Sequence, residues 1–143
     1  MDFFSSMDIS ASALSAERTR MNLISSNLAN VNSTRTAEGG PYRRKDAVFT
    51  ATPASGSFGA ALGRAADARR VEVSQITEDR NPPRLQFEPT HPDADPQGYV
   101  AYPNVNVVEE MADMITATRS YEANVTAAQA AKSMALKTLE LMR

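Results

Sequence analysis

All eight prolines and all six glycines of this 143-residue chain fall between Gly39 and Pro103. Proline and glycine are the residues least compatible with a helix interior. Both ends of the chain are therefore free to be helical, and the turns are confined to the middle.

The first segment runs from about Ser6 to Val31. Met7, Leu14, Met21 and Leu28 recur at intervals of seven, with Ile24 and Val31 between them at the far end. Ser10 and Glu17 hold the equivalent near-end positions, so this is a helical seam of coiled-coil type whose first half is weak. Ser10 or Ser12 interrupts or caps it. Asn27, Asn30 and Asn32 cluster where the pattern stops. They read either as a helix C-terminus, which asparagine tolerates, or as a polar rung that sets register between packed helices.

The last segment reads as a helix from Val107 almost to the end. Met111, Met114, Thr118, Tyr121, Val125, Ala128, Ala135 or Leu136, Leu139 and Met142 follow in steps of mostly three and four. Alanine, leucine, lysine, glutamate and methionine dominate, all strong helix formers. Glu109 and Glu110 near the start, and Lys132, Lys137 and Arg143 toward the end, complement the macrodipole. This helix spans about 55–60 Å and the first about 35–40 Å. Paired side by side, they leave an overhang of roughly 15–20 Å. The apolar stripe continues along it through Leu136, Leu139 and Met142, which calls for packing against another chain.

Between the helices, four short runs have extended character: Ala47–Thr52, Arg70–Ile76, Arg84–Glu88 and Tyr99–Tyr102, each bounded by turn residues. Ser55–Ala68 is rich in glycine, alanine and serine and reads as a mobile stretch. The expected fold is mainly α: long N- and C-terminal helices form a coiled coil, with a small Pro/Gly-rich β/loop segment between them. The expected division is an N-terminal assembly helix at 1–33, a central β-hairpin and loop at 34–103, and a C-terminal assembly helix at 104–143. Together they make one domain.

Composition narrows the function. A net charge of −2 and a pI near 5.4 offer no basic face for nucleic acid. The clusters Arg43-Arg44-Lys45 and Arg69-Arg70 have acidic neighbours and read as solvated loop charge. There is no cysteine, hence no disulfide framework and no thiolate metal site. The opening residues lack a basic leader and an apolar core, so no cleaved signal peptide is expected. No stretch approaches the roughly 18 apolar residues of a spanning helix, so no direct membrane insertion is expected.

His91-Pro-Asp-Ala-Asp95 places the sole histidine near two carboxylates, a donor set suited to a divalent metal or to acid–base work. Three prolines surround it and no second cluster answers it, so it reads as a rigid acidic loop. Gly39-Gly40 lacks the strand–helix context of a phosphate loop. No catalytic residue, metal or cofactor is expected.

The run from Ser12 to Thr34, with Arg20-Met-Asn-Leu-Ile-Ser-Ser-Asn-Leu-Ala-Asn30 at its centre, resembles the N-terminal signature of flagellar rod, hook and hook-associated axial proteins. Arg119-Ser-Tyr-Glu-Ala-Asn-Val125 and the residues through Leu139 resemble their C-terminal signature. In the middle, Gly40-Pro-Tyr-Arg-Arg-Lys45, His91-Pro-Asp-Ala-Asp95, Gly98-Tyr-Val100 and Tyr102-Pro-Asn-Val-Asn-Val-Val-Glu-Glu-Met111 are similar to the short subunits of the proximal rod. The resemblance implies a structural subunit of the bacterial flagellar basal body, exported through the type III apparatus and assembled in the periplasmic rod that carries torque from motor to hook. It implies partners among its own copies and the other proximal rod, ring–rod junction and distal rod proteins.

Side chains expected at subunit interfaces are Leu14, Met21, Ile24, Leu28, Asn30 and Val31 on the first helix. On the last they are Met111, Met114, Thr118, Tyr121, Val125, Leu136, Leu139 and Met142. The terminal segments are expected to stay largely unstructured until assembly supplies a partner, since closing a loop of about 75 residues opposes their pairing. The competing readings are a different rod subunit of the same family, a cytoplasmic helical adaptor or chaperone, and, more distantly, a metal-dependent enzyme.

Overall fold

The computed structural model describes residues 3–53 and 69–141. The expectation for Ser55–Ala68 lies outside the described residues. In chain order come α1 (Phe3–Ala29), β1 (Lys45–Pro53), β2 (Arg69–Glu78), β3 (Arg84–Phe87), β4 (Tyr99–Tyr102) and α2 (Val107–Leu141). At 27 and 35 residues, α1 and α2 are about 40 and 52 Å long.

The helices lie antiparallel, with Asn27 beside Glu110 and Met21 beside Thr118. Their contact is built from small and polar side chains. Ser10, Ala16, Ile24 and Asn27 are buried on α1, and Glu110, Ala117 and Ala131 on α2. Alanine and serine let two backbones approach closely but bury little apolar area each. The threonines of α2 turn their hydroxyls back onto their own helix. Thr116, Thr118, Thr126 and Thr138 each donate a hydroxyl hydrogen bond to the carbonyl four residues back. Asn106 caps α2: its Oδ1 accepts from the Val108 N–H at 3.1 Å.

The middle of the chain overturns the expectation of a mainly α fold. Among the described residues it holds two antiparallel two-stranded sheets, β1–β2 and β3–β4, each a hydrogen-bonded ladder. The architecture is therefore helices plus sheets, and the centre is not a loop with a minor β element. The prolines that suggested a loop sit at strand ends and between strands: Pro53 closes β1, Pro82 and Pro83 precede β3, and Pro103 follows β4. None occupies a ladder position that needs its missing N–H inside a sheet.

In the first hairpin Val48 pairs with Gln75 and Phe49 with Val73, so Ser74 is an extra residue on β2. This bulge keeps Ala47, Phe49 and Ala51 opposite Ile76, Val73 and Val71 on one face despite the odd residue. The hairpin packs on α1, which also carries α2, making α1 the central element. Ser12 fastens the contact. Its Oγ accepts from the Val71 N–H at 3.1 Å and donates to the Ile9 carbonyl at 2.7 Å. Ser12 neither caps nor interrupts α1.

The second hairpin holds Val100, which is fully buried, under the segment after α1. Its other face is open: Leu85 and Phe87 are exposed, and Phe87 meets Tyr99 edge to face with ring centroids 5.4 Å apart. Gly98 makes this approach possible, with φ at +84° and Phe87 Cε2 only 2.9 Å from where a Cβ would stand. Gly98→Ala should therefore combine left-handed backbone strain with a side-chain clash and destabilise the chain by about 2–3 kcal/mol. A thermal melt checks this. Unchanged stability would mean that the turn is not held in this conformation.

Candidate functional site

The end of α1, the start of β1 and the start of α2 meet at one buried polar node. Its centre is the Glu110 carboxylate, only 1% exposed although it sits in the first turn of a helix. A buried charge is costly unless it is paired and hydrogen-bonded. Here both oxygens are answered: Oε1 accepts from Arg44 Nε, and Oε2 accepts from Asn27 Nδ2 at 3.0 Å. Arg44 also lies 3.6 Å from Asp46 and 3.6 Å from Asp113 through its terminal nitrogens. Burial alone would lower the Arg44 guanidinium. Its hydrogen bond to Glu110 and the charges of Glu110, Asp46 and Glu109 outweigh this and hold it above its ordinary value. The cation is therefore permanent.

Asn27, also 1% exposed, uses its whole hydrogen-bonding capacity. Nδ2 donates to the Lys45 carbonyl at 2.9 Å and to Glu110. Oδ1 accepts from the Lys45 N–H at 3.0 Å and from the Tyr42 hydroxyl at 3.0 Å. The amide thus exchanges a pair of bonds with one backbone residue, as a neighbouring strand would. It fixes where β1 begins relative to α1. Of the three asparagines, Asn27 is the polar rung and Asn30 ends the helix. Asn30 Nδ2 donates to the Ser26 carbonyl at 2.9 Å, and its Oδ1 accepts from the Ser33 hydroxyl at 3.1 Å.

Asp79, just after β2, links the hairpin to the strand–helix connection. It accepts from the Asn81 N–H at 2.9 Å and from Asn104 Nδ2 at 3.3 Å. The Asn81 backbone bond is the main reason its carboxyl lies below the usual value, against a smaller opposing effect of burial. A lowered folded-state pKa adds stability above the unfolded pKa and loses it as pH falls through the folded one. This link therefore weakens only in acid.

The His91–Asp95 loop turns back on itself. His91 Nδ1 accepts from the Asp93 N–H at 3.1 Å, and Asp93 accepts from the Thr34 hydroxyl at 2.8 Å. Among the described residues, no three His, Cys, Asp or Glu side chains are gathered to hold a metal ion, and no helix is long and apolar enough to cross a membrane.

The expected interface residues fall into three groups. Ile24 is buried within the chain. Leu14, Met21, Leu28, Asn30, Val31, Met114, Tyr121 and Val125 are half-buried along the flanks of the helix pair. Met111, Thr118, Leu136 and Leu139 are exposed, and Met142 lies outside the described residues. Sequence reasoning missed Val108, Ile115, Met134 and Leu141, which add to the exposed apolar surface of α2. It also missed the node. The sequence reads Arg44 as solvated loop charge and Glu110 as a macrodipole partner, and their positions, 66 residues apart, give no local signal.

Comparison with known proteins gives concordant matches. Residues 7–35 match the family described as flagella basal body rod protein, and residues 97–141 match the flagellar basal body rod FlgEFG protein C-terminal family. The flagellar basal-body rod protein FlgC of Bacillus subtilis (strain 168) is 45% identical over 150 aligned positions, covering 99% of each chain. The FlgC of Borreliella burgdorferi is 40% identical over 100% of this chain and 99% of its own. That of Escherichia coli O6:H1 is 46% identical over 94% of this chain and 93% of its own.

Removing the central carboxylate tests the node. Glu110→Ala leaves Arg44 and Asn27 without their partner and should cost about 3 kcal/mol in urea unfolding. Lys45→Ala breaks only the exposed 3.4 Å pair with Glu78 and should stay within about 0.5 kcal/mol of the parent. Equal effects would show that the node is no more than surface charge.

Proposed function

The chain belongs to the FlgC family of flagellar basal-body rod proteins, and from that premise we propose that its paired helices are the packing elements through which it joins neighbouring chains and passes torque along the rod. It is a structural subunit of the basal-body rod. The partners proposed are further copies of itself and the other proximal rod, ring–rod junction and distal rod proteins. The proposed route is export by the flagellar type III apparatus, without cleavage of a signal, into the periplasm. The three segments 1–33, 34–103 and 104–143 act as one unit, because Asn27, Arg44 and Glu110 come one from each.

The observation that carries this reading is where the apolar side chains lie: among the described residues the buried ones are Ala16, Ile24, Val100, Val105, Ala117 and Ala131, while eight large apolar side chains of α2 are exposed. Much of what is exposed is apolar and regularly placed on α2. Val108, Met111 and Ile115 line one stretch near its start, and Met134, Leu136, Leu139 and Leu141 crowd its end. At that end the antiparallel register sets Phe3 opposite the Met134–Leu136 turn, so the last five residues of α2 run about 8 Å past α1. Leu139 and Leu141, 64% and 89% exposed, have no helix beside them among the described residues. Many shallow contacts along a long helix resist rotation collectively, which suits a shaft under torque.

Placing a charge on this end separates assembly from export. Leu136→Asp or Leu139→Asp should leave the chain exported at the parental level but absent from purified basal bodies, with motility lost. Export assays and protein identification on basal bodies read both arms. Normal rods containing either variant would show that the end of α2 is not an interface.

A further inference from the structure

Ser10, Glu17 and Ile24 follow one another at intervals of seven on α1, and the two outer members are buried. Glu17, itself half-buried, therefore lies in the seam that faces α2. Its Oε2 is shielded from water and has no hydrogen-bond partner among the described residues. Arg18 and Arg20, the nearest cations in sequence, form no ion pair with it there. The register set by Asn27–Glu110 and Met21–Thr118 puts Tyr121 and Asn124 across from it. The Asn124 amide donates instead to the Ser120 carbonyl of its own helix, at 2.9 Å. We propose that Glu17 is a release point, which lets α2 beyond about Tyr121 separate from α1 in the free chain while the node keeps the first half in place. The proposal goes beyond the rod-subunit reading and does not depend on it.

The seam holds two carboxylates, Glu110 beside Asn27 and Glu17 about 15 Å further along α1. They differ in one respect. Both Glu110 oxygens are answered, by Arg44 and by Asn27. One Glu17 oxygen is not, and a polar atom buried without a partner opposes the packing that buries it. That packing has little to set against the cost. Between the node and Glu17 the facing helices bury Ile24 and Ala117. Past Glu17 they bury Ser10 and Ala131, a hydroxyl and one methyl. The connections decide which helix moves. Among the described elements α2 packs on α1 alone, whereas α1 also carries the first hairpin, fastened where the Ser12 Oγ accepts from the Val71 N–H. When the pair opens, α2 leaves and α1 stays. Once detached, that end of α2 loses the tertiary packing that supplies most of a helix's stability. Opening is therefore read as amide exchange.

Residue-resolved hydrogen exchange on the purified free chain tests this. In the parent, the amides from Val125 to Lys132 should exchange faster than those around Glu110. In Glu17→Leu they should slow by about tenfold. Glu17→Gln replaces the carboxylate by an amide of the same size and should slow them in the same direction by less, which keeps the test open if the leucine variant misfolds. Glu122→Gln makes the same change on the exposed side of α2 and should leave exchange as it was. Three results would overturn the release point: exchange from Val125 to Lys132 in the parent as slow as at Glu110, no slowing in any Glu17 variant that folds, or equal slowing in Glu122→Gln. None of them bears on whether the chain is a rod subunit, which is read from purified basal bodies.

Discussion

Everything else in the structure is arranged around the burial of one negative charge. Glu110 sits in the first turn of α2, where a carboxylate is normally solvated and favoured only by the helix dipole. Here it is held by Arg44 and Asn27, and these bring with them the start of β1 and the end of α1. One side chain thereby sets the register of the helix pair and the point at which the first hairpin leaves it. The same arrangement is intolerant of partial loss. Removing Arg44 or Asn27 leaves one oxygen of a buried carboxylate unanswered, and removing Glu110 takes a partner from both, which costs more than the intact cluster contributes. Such a node specifies geometry more than it adds net stability, which is what a part that must fit its neighbours in one orientation requires.

Away from the node the chain is thinly packed. Among the described residues the largest fully buried side chains are Glu110, Val100 and Asn27, two of them polar. The helix contact beyond the first turns rests on Ala16, Ala117 and Ala131, which bury little area. The molecule is therefore anchored at one end and weakly held at the other. Its apolar residues are spent on the outside: along α2, and on the second hairpin through Leu85 and Phe87.

The helices were legible because periodicity and the absence of breakers are local signals, and each of the four strands coincided with a short extended run bounded by turn residues. The fold class was misjudged because the prolines were weighed as loop markers, when they mark strand ends. The seam was misplaced for a different reason. A search for large apolar residues at sevenfold spacing selected Met7, Leu14, Met21 and Leu28, of which Met7 is exposed and the others half-buried. Close helix packing instead selects small residues, and Ser10, Ala16 and Ala131 carry no hydrophobic signature. The asparagine cluster did announce a polar rung. Its partners, 18 and 83 residues further along, were set only by the tertiary fold.

Hydrogen exchange, measured residue by residue on the free chain and on assembled rods, tests the central claim most directly: that the chain is fixed at the Asn27–Arg44–Glu110 node and completed by partners at its other end. The account predicts slow exchange around the node in both states. It predicts fast exchange from about Met134 to Leu141 in the free chain, becoming slow in the rod. Uniform slow exchange along α2 in the free chain, or fast exchange at its end in the rod, would contradict it.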